Sequence, residues 1–433
     1  MRFRLAAAAA LAAGPAVSQE LDLPGGPLLT IGLSQSATLD TNFGLEDPRR
    51  GNSYFTDTRV SFGVLSETDV QSLGFGFDTG LRALWEADRD FRFTFASPSN
   101  ANLDYGRDWA GGGVDIGLDY TQTEVDADTV DQNDDNNQTD AQDRLGVDAT
   151  QYTYRGSLDL ELAQDSPSSY TFSARASRID YDRTSIDRSP RDTAQAEAGW
   201  RLRFNDTVSG AVNALYIYYS ADNDAQTQVR FGSLDAGVIY EPSEVLRVDL
   251  GLGYSHRERR EIRAPNSDNP QRNTETDSGP AARFALRYAF QDVTVNGELR
   301  YTAAADGAPV TGQLRAAYPL PRGVLSGRIF QNKTGAASGS EARVSGVGIS
   351  LDHSLNDLSS LAFDATAAYQ VDETAPFEPD ITRYSFSAVY SRELTETINA
   401  SIGYTYRTFD QQPDYATGNI VFIEVGKSFS TQF

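Results

Sequence analysis

Apolar side chains recur at every second position along most of the chain from Leu28 onward. This period of two is that of a β-strand, because successive side chains of a strand point to opposite faces. In the stretch from Leu73 to Trp85, Leu, Phe, Ala and Trp alternate mainly with Gly, Asp and Arg. The same alternation recurs at 194–204, 246–255 and 398–407. The pattern predicts an all-β protein.

The predicted strands are long enough to cross a membrane. They run for roughly 10 to 15 residues, whereas strands of soluble proteins average about five or six and a tilted transmembrane strand needs about 9 to 11. One face of nearly every strand carries charge and the other carries almost none. A lipid-facing Arg near the membrane centre costs about 2–4 kcal/mol, which explains this asymmetry better than a soluble sandwich does. We therefore predict a transmembrane β-barrel.

Short and long connections alternate along the chain. Short ones are expected at Asn205–Asp206 and Gln291–Asp292, and longer ones at 258–277, 372–380 and 410–417. In such barrels the short turns face the periplasm and the long loops face outside. The alternation predicts an up-and-down antiparallel barrel of about 20 strands, with about 18 as the alternative because 91–113 is ambiguous. An even number places both termini in the periplasm.

The first residues have the features of a secretory signal. Arg2 and Arg4 precede an apolar stretch, and Ala16-Val17-Ser18 fits a small-residue cleavage site. We expect residues 1–18 to be the signal peptide, 19–27 a short periplasmic segment and 28–433 the barrel. The expected location is the bacterial outer membrane, reached through the periplasm. Because strands begin about ten residues after the predicted cleavage site, we expect no plug domain, passenger or hatch before the barrel.

Composition narrows the possible chemistry. The chain has no Cys, so disulfide and thiol chemistry are excluded. Its formal net charge of -24 argues against nucleic acid as a partner. Only Lys333 and Lys427 are lysines among 37 basic residues, so the basic chemistry of this chain is almost entirely that of arginine.

Many arginines fall on the predicted inner face of the barrel. Arginine binds carboxylate and phosphate groups in a bidentate manner, so an arginine-lined lumen that is net positive would favour anionic solutes or an acidic glycan. Alternatively, these side chains brace the wall by cross-strand pairing with acids such as Asp78, Asp159 and Glu197. The sequence is compatible with both alternatives. The predicted lumen-lining arginines are Arg82, Arg155, Arg175, Arg201, Arg203, Arg230, Arg247, Arg283, Arg287, Arg300, Arg315, Arg383 and Arg407.

A dense acidic run lies between residues 124 and 143. Asp131, Asn133 and Asp135 have the spacing that opens a calcium-binding loop. However, Asn136 replaces the turn glycine and Gln142 replaces the bidentate Glu. A solvated external loop is therefore the preferred interpretation, with Ca²⁺ or Mg²⁺ binding as the alternative.

The sequence contains little that indicates catalysis, and we predict no enzyme activity and no cofactor. Its two histidines, His256 and His353, are expected near strand ends, without the pattern of a Ser/His or Asp/His hydrolase. His- or Cys-based metal spacing is also absent from the sequence.

The last eight residues resemble the assembly signal of bacterial outer-membrane proteins. In that signal a glycine precedes spaced aromatic residues and a terminal Phe, which match Gly426, Phe429 and Phe433, whereas Thr431 stands at one aromatic position. The resemblance implies that the barrel assembly machinery is a partner.

A second resemblance is to the β-barrel porin family associated with exopolysaccharide gene clusters. It rests on the stretch 31–43, the turn 390–395 and the following segment 402–406. The resemblance implies a channel that conducts or exports anionic solutes or exopolysaccharide. Our alternative is a structural or surface-interaction barrel whose acidic external loops bind a partner or lipopolysaccharide. Outer-membrane lipid is an expected partner in both cases.

Overall fold

The structure of the 433-residue chain is a computed structural model. It describes residues 26–43, 45, 51–86, 91–96, 98–124, 150–182, 190–222, 226–263, 271–303, 310–335, 341–372, 380–411 and 413–433. The predicted signal peptide lies outside these residues. All regular elements in the described part are β-strands. In that part no helix has the length and apolar character needed to cross a membrane.

The described residues form 21 strands. They are β1 (Leu28–Asp40), β2 (Ser53–Thr68), β3 (Gln71–Trp85), β4 (Arg92–Phe95), β5 (Ser99–Trp109), β6 (Gly112–Glu124), β7 (Thr150–Leu162), β8 (Ser168–Tyr181), β9 (Arg191–Arg203), β10 (Val208–Ala221), β11 (Gln228–Ser243), β12 (Leu246–Arg263), β13 (Gln271–Phe290), β14 (Val293–Thr302), β15 (Val310–Leu320), β16 (Gly323–Gly335), β17 (Glu341–Asn356), β18 (Ser359–Asp372), β19 (Ile381–Thr395), β20 (Ile398–Gln411) and β21 (Asp414–Gln432).

The strands close into one antiparallel barrel. Consecutive strands pair along the chain, and β1 pairs with β21 from Leu28↔Gln432 to Asp40↔Ile420. The short β4 pairs with one end of β3 while β5 pairs with the other, so β4 and β5 share a single place in the wall. The barrel therefore has 20 strands, as the alternation predicts, and the alternative of 18 is wrong. The ambiguous stretch 91–113 is this interrupted strand.

The two ends of the barrel differ in their connections. Tight turns, such as the one between β13 and β14, lie at the same end as Leu28 and Gln432. A periplasmic position for this end stays a prediction.

Two predicted loops are shorter than expected. Strands β12 and β13 pair as far as Arg263↔Gln271, and β20 and β21 as far as Gln411↔Asp414. The prediction ended these strands where the apolar alternation ends. In the structure the hydrogen-bonded pairing continues further, because backbone pairing does not require apolar side chains.

Side chains divide between an apolar outer face and a polar inner face. On β3, Leu81 is 60% exposed while the next residue, Arg82, is 6% exposed. Aromatic side chains are exposed toward both ends of the wall, as in the interfacial girdles of transmembrane barrels. Examples are Tyr54, Trp85, Tyr254, Tyr384, Trp109, Trp200, Phe290 and Phe433.

This division makes a prediction for adjacent residues of β20. Ile402 is 51% exposed on the outer face, whereas Ser401 lies on the inner face opposite Glu424 of β21. We expect Ile402→Arg to destabilise the lipid-inserted barrel by about 2–4 kcal/mol, because the charge enters hydrocarbon. Urea titration of folding into lipid vesicles measures this loss. The matched variant Ser401→Arg should be tolerated, and equal losses in both variants would contradict the assignment of faces.

Candidate functional site: the polar interior

Strand register assigns each predicted arginine to a face. Alternate residues point to opposite faces, and the partners of inner residues are themselves inner. Arg230 lies on the outer face, opposite Tyr218 of β10 and exposed, so its predicted inner position is wrong. In β11 the inner face instead carries Phe231, Ser233 and Asp235, so the apolar side chain of Phe231 points into the interior. The register places the others on the inner face, while their role in conduction stays a prediction: Arg82, Arg155, Arg175, Arg201, Arg203, Arg247, Arg283, Arg287, Arg300, Arg315, Arg383 and Arg407.

One buried ion pair joins β2 and β3 on the inner wall. Arg82 Nε donates to Asp57 Oδ1 at 2.8 Å and Arg82 Nη2 donates to Asp57 Oδ2 at 2.9 Å, a bidentate arrangement. The guanidinium also lies 4.2 Å from the ring centroid of Phe55. Both charged side chains are almost fully buried, so loss of either one would leave a buried charge without its main partner.

A second buried ion pair holds the segment that follows β1. Arg407 Nη2 of β20 lies 2.7 Å from Asp40 Oδ2, and these side chains are only 5% and 2% exposed. The same nitrogen donates to the carbonyl oxygens of Asn42 and Phe43, each at 3.0 Å. Arg407 thus fixes both the end of β1 and the backbone that leaves it.

That segment turns into the barrel. Leu45 is 1% exposed and packs in a cluster with Ile381, Phe409 and Ala416, all of which lie on the inner face of β19, β20 and β21. Phe43 makes an edge-to-face contact with Phe55, at 5.7 Å between ring centroids. Residues 42, 43 and 45, called the inner segment below, therefore cover the wall at the end of the barrel opposite the chain termini.

A network of ion pairs spans β9 to β14. Arg283 donates to Asp249 at 2.9 and 3.1 Å and to Asp235 at 3.4 Å. Arg300 of β14 contacts Glu298 at 2.6 Å and reaches Glu197 of β9 at 3.5 Å. These two strands are not neighbours in the sheet, so Arg300 and Glu197 meet across the interior.

Arginines nevertheless stand opposite arginines in this part of the wall. The inner cross-strand pairs are Arg247↔Arg287, Arg283↔Arg300 and Arg315↔Arg328. Like charges directly opposite each other on a sheet destabilise it unless counter-charges or solvent compensate. Glu241 supplies part of this compensation by pairing with Arg201 and, at 3.3 Å, with Arg247. The wall from β9 to β16 is called the arginine sector below.

A different part of the inner wall is acidic. On β6 and β7, Asp115 lies directly opposite Asp159, with Arg155 as the inner cation of these two strands. Asp159 was among the acids expected on the inner face from sequence. Asp115 was not, although the alternation of Asp with Ile, Leu and Tyr at 115–120 could have identified it. The wall from β5 to β7, called the acidic sector below, has the inner acids Asp104, Asp108, Asp115, Asp119, Asp159 and Glu161.

We expected a net positive inner face from sequence, and the described inner wall also contains a part in which acids outnumber arginines. Its charges separate into two sectors on different parts of the circumference. Many inner arginines pair with acids, as expected if they brace the wall. Other arginines stand opposite each other in like-charge pairs, as expected of a surface that attracts anions.

Other predicted sites lie elsewhere. The candidate cation ligands Asp131, Asn133 and Asp135 are outside the described residues, and the described residues contain no group of three or more potential metal ligands. His256 lies well inside β12 rather than near its end, on the outer face, with Nδ1 2.7 Å from Ser278 Oγ. His353 lies on the outer face of β17, three residues before the strand ends.

The residues of the predicted assembly signal belong to β21. Phe429 and the terminal Phe433 are exposed on the outer face, and Gly426 faces inward beside Asn399. Their role in assembly stays a prediction.

Comparisons with known proteins find likeness in structure but not in sequence. No family model matches the chain, and no curated protein matches it, so the resemblance to the exopolysaccharide-associated porin family is not supported. The ferric-catecholate import receptor Fiu from E. coli superposes with a TM-score of 0.51 at 8% identity, covering 92% of this chain and 81% of the receptor. An FrpB iron transporter from Neisseria meningitidis gives 0.51 at 8% identity, covering 94% and 83%. The siderophore receptor PiuA from Acinetobacter baumannii gives 0.50 at 8% identity, covering 94% and 82%.

The closed barrel, its apolar outer face and these likenesses define the class. The chain is a multi-pass transmembrane β-barrel of the bacterial outer-membrane type.

The buried position of Leu45 can be tested with a thiol probe. The chain contains no Cys, so Leu45→Cys introduces a single reactive site. We expect slow labelling by a bulky maleimide in the purified barrel. Adding Arg407→Gln should accelerate labelling about tenfold or more, since a closure weakened by 1.4 kcal/mol opens ten times as often.

Asp206→Cys, in the exposed turn between β9 and β10, provides the control and should label rapidly with or without Arg407→Gln. Fast labelling of Leu45→Cys in the otherwise unchanged chain would show that the inner segment does not pack on the wall.

Proposed function

We propose that this protein transports small polar solutes across the outer membrane through the interior of its barrel. The observation that carries the proposal is the inner face, which is charged or polar along the wall while the outer face is apolar. A barrel of about 20 strands is in the size range in which the interior holds an aqueous channel or a plugged lumen. Side chains such as Arg203 and Arg287 remain exposed on the inner face, consistent with a water-filled interior.

The two charged sectors favour solutes that carry charge. A solute with both positive and negative groups can orient its anionic end toward the arginine sector and its cationic end toward the acidic sector. Ion pairs such as Arg283 with Asp249 hold the sectors in place without neutralising every group. The proposed substrates are therefore small zwitterionic or charged molecules, sized by the space that the inner segment leaves open.

The structural neighbours support transport at the level of the fold. The three similar barrels are a ferric-catecholate import receptor, a siderophore receptor and an iron transporter. A fold alone does not define a substrate, so the substrate class proposed for this chain rests on the charges of its own inner face.

A second candidate is passage of anionic solutes or exopolysaccharide along the arginine sector. The like-charge pairs Arg247↔Arg287 and Arg315↔Arg328 favour it, because closely spaced guanidinium groups bind carboxylates or phosphates. This candidate predicts a strong preference for anions, whereas the proposed function does not.

Planar-bilayer recording of the purified full chain tests transport itself. We expect discrete conductance steps in potassium chloride and uptake of small sugars or amino acids into vesicles that contain the barrel. A correctly folded barrel, shown by its heat-modifiable migration in gels, that neither conducts nor admits solutes would refute the proposed function.

Selectivity tests the role of the sectors. Reversal potentials in a salt gradient should shift toward cations in Arg287→Glu/Arg315→Glu and toward anions in Asp104→Asn/Asp115→Asn. A strong anion preference before mutation would favour the second candidate. Arg178→Glu, which changes a charge on the outer face, should leave the reversal potential unchanged. Unchanged selectivity in both inner variants would mean that these charges only brace the wall.

A further inference from the structure

The outer face of β11, β12 and β13 carries a group of three arginines and one histidine beyond the apolar band. Arg230, His256, Arg260 and Arg272 are all exposed there, at the end of the barrel that bears the longer connections. We call them the cationic patch. Among the described outer-face residues of this part of the three strands, Glu258 is the acid. The patch is therefore locally positive on a chain whose net charge is -24.

Strand pairing arranges the three arginines in a stepped row. Arg230 stands opposite Glu258, two residues from Arg260 on the same face of β12. Arg260 stands opposite Thr274, two residues from Arg272 on the same face of β13. Diagonal neighbours of this kind are about 7–8 Å apart. The row therefore presents guanidinium groups over a distance that more than one phosphate can occupy.

The patch continues directly from the lipid-facing surface. Leu234 is four residues from Arg230 and is 58% exposed, and Tyr254 is two residues from His256 and is 59% exposed. Four residues of strand cover about 13 Å, and less along the membrane normal because the strands tilt. The cations therefore lie at the depth of the lipid headgroups, immediately beyond the hydrocarbon.

One contact favours an anion that comes from outside the protein. Glu258 lies against Arg260, with 2.5 Å between the carboxylate oxygen and Nε, and fixes the orientation of that guanidinium. Arg260 remains about half exposed in this position. The remaining donors of Arg260, together with Arg230 and Arg272, point to a ligand with several negatively charged oxygens.

We propose that the cationic patch binds the phosphate groups of a multiply phosphorylated glycolipid in the outer leaflet. The apolar band beneath the patch would contact the acyl chains of the same lipid. The inference uses the orientation in which longer connections face outside, and it is independent of whether the barrel conducts.

Binding of defined lipids to the purified full chain in detergent tests the proposal. Diphosphoryl lipid A is the probe, and affinity is measured by native mass spectrometry or by thermal stabilisation. Each basic side chain near an anionic surface contributes about 1 kcal/mol, so Arg230→Gln/Arg260→Gln/Arg272→Gln should weaken binding by up to about 100-fold. Glu258→Gln should strengthen binding, because it removes the one acid in the row. Monophosphoryl lipid A should bind the unmodified chain more weakly than the diphosphoryl form.

The control is Arg178→Gln, also on the outer face toward the same end, where Arg178 already pairs with Asp180 and Asp192. Its binding of diphosphoryl lipid A should match that of the unmodified chain. Equal binding by the triple variant would overturn the proposal, as would equal affinity for phosphatidylglycerol or displacement of the lipid by millimolar inorganic phosphate. Conductance of the triple variant, measured separately, should be unchanged, which distinguishes failure of this inference from failure of the proposed function.

Discussion

Backbone hydrogen bonding in lipid is the constraint on which this structure depends. Hydrocarbon offers no partner to an N–H or C=O group, so a sheet that crosses a membrane must close on itself. Closure here occurs between β1 and β21, whose thirteen-residue register runs from Leu28↔Gln432 to Asp40↔Ile420. The interrupted strand formed by β4 and β5 keeps the ladder continuous on both halves of β3. Once the ladder is closed, side chains are free to differ completely between the two faces.

The inner face carries many charged side chains, and pairing limits how much they destabilise the fold. A buried charge destabilises a protein unless it is paired and hydrogen-bonded, and the deepest pairs, Arg82 with Asp57 and Arg407 with Asp40, meet both conditions. Less buried groups, such as Arg287, stay exposed on the interior surface. The result is a wall with an arginine sector, an acidic sector and an inner segment of apolar and polar groups at one end. Under the proposed function, each of these features would narrow the passage or orient the solute.

Arginine has different consequences on the two faces of the same barrel. On the inner face, Arg300 meets Glu197 across the interior of the barrel. On the outer face, Arg230 and Arg260 lie beyond the apolar band that contains Leu234 and Tyr254. One residue of displacement along a strand exchanges these environments, because the side-chain period is two. The register therefore decides whether a given arginine faces the interior or the outer surface of the barrel.

The sequence by itself determined the class of the fold and the face of most residues, and it limited the barrel to about 18 to 20 strands. These properties are local, since the direction of a side chain in a strand follows from its position in the alternation, as with Leu81 and Arg82. Arg230 marks the limit, because apolar residues at both positions of β11 left its face ambiguous. Which charges meet was decided only by tertiary structure. Asp40 and Arg407 are 367 residues apart in the chain, and Arg300 reaches Glu197 only because non-neighbouring strands approach each other inside the closed barrel.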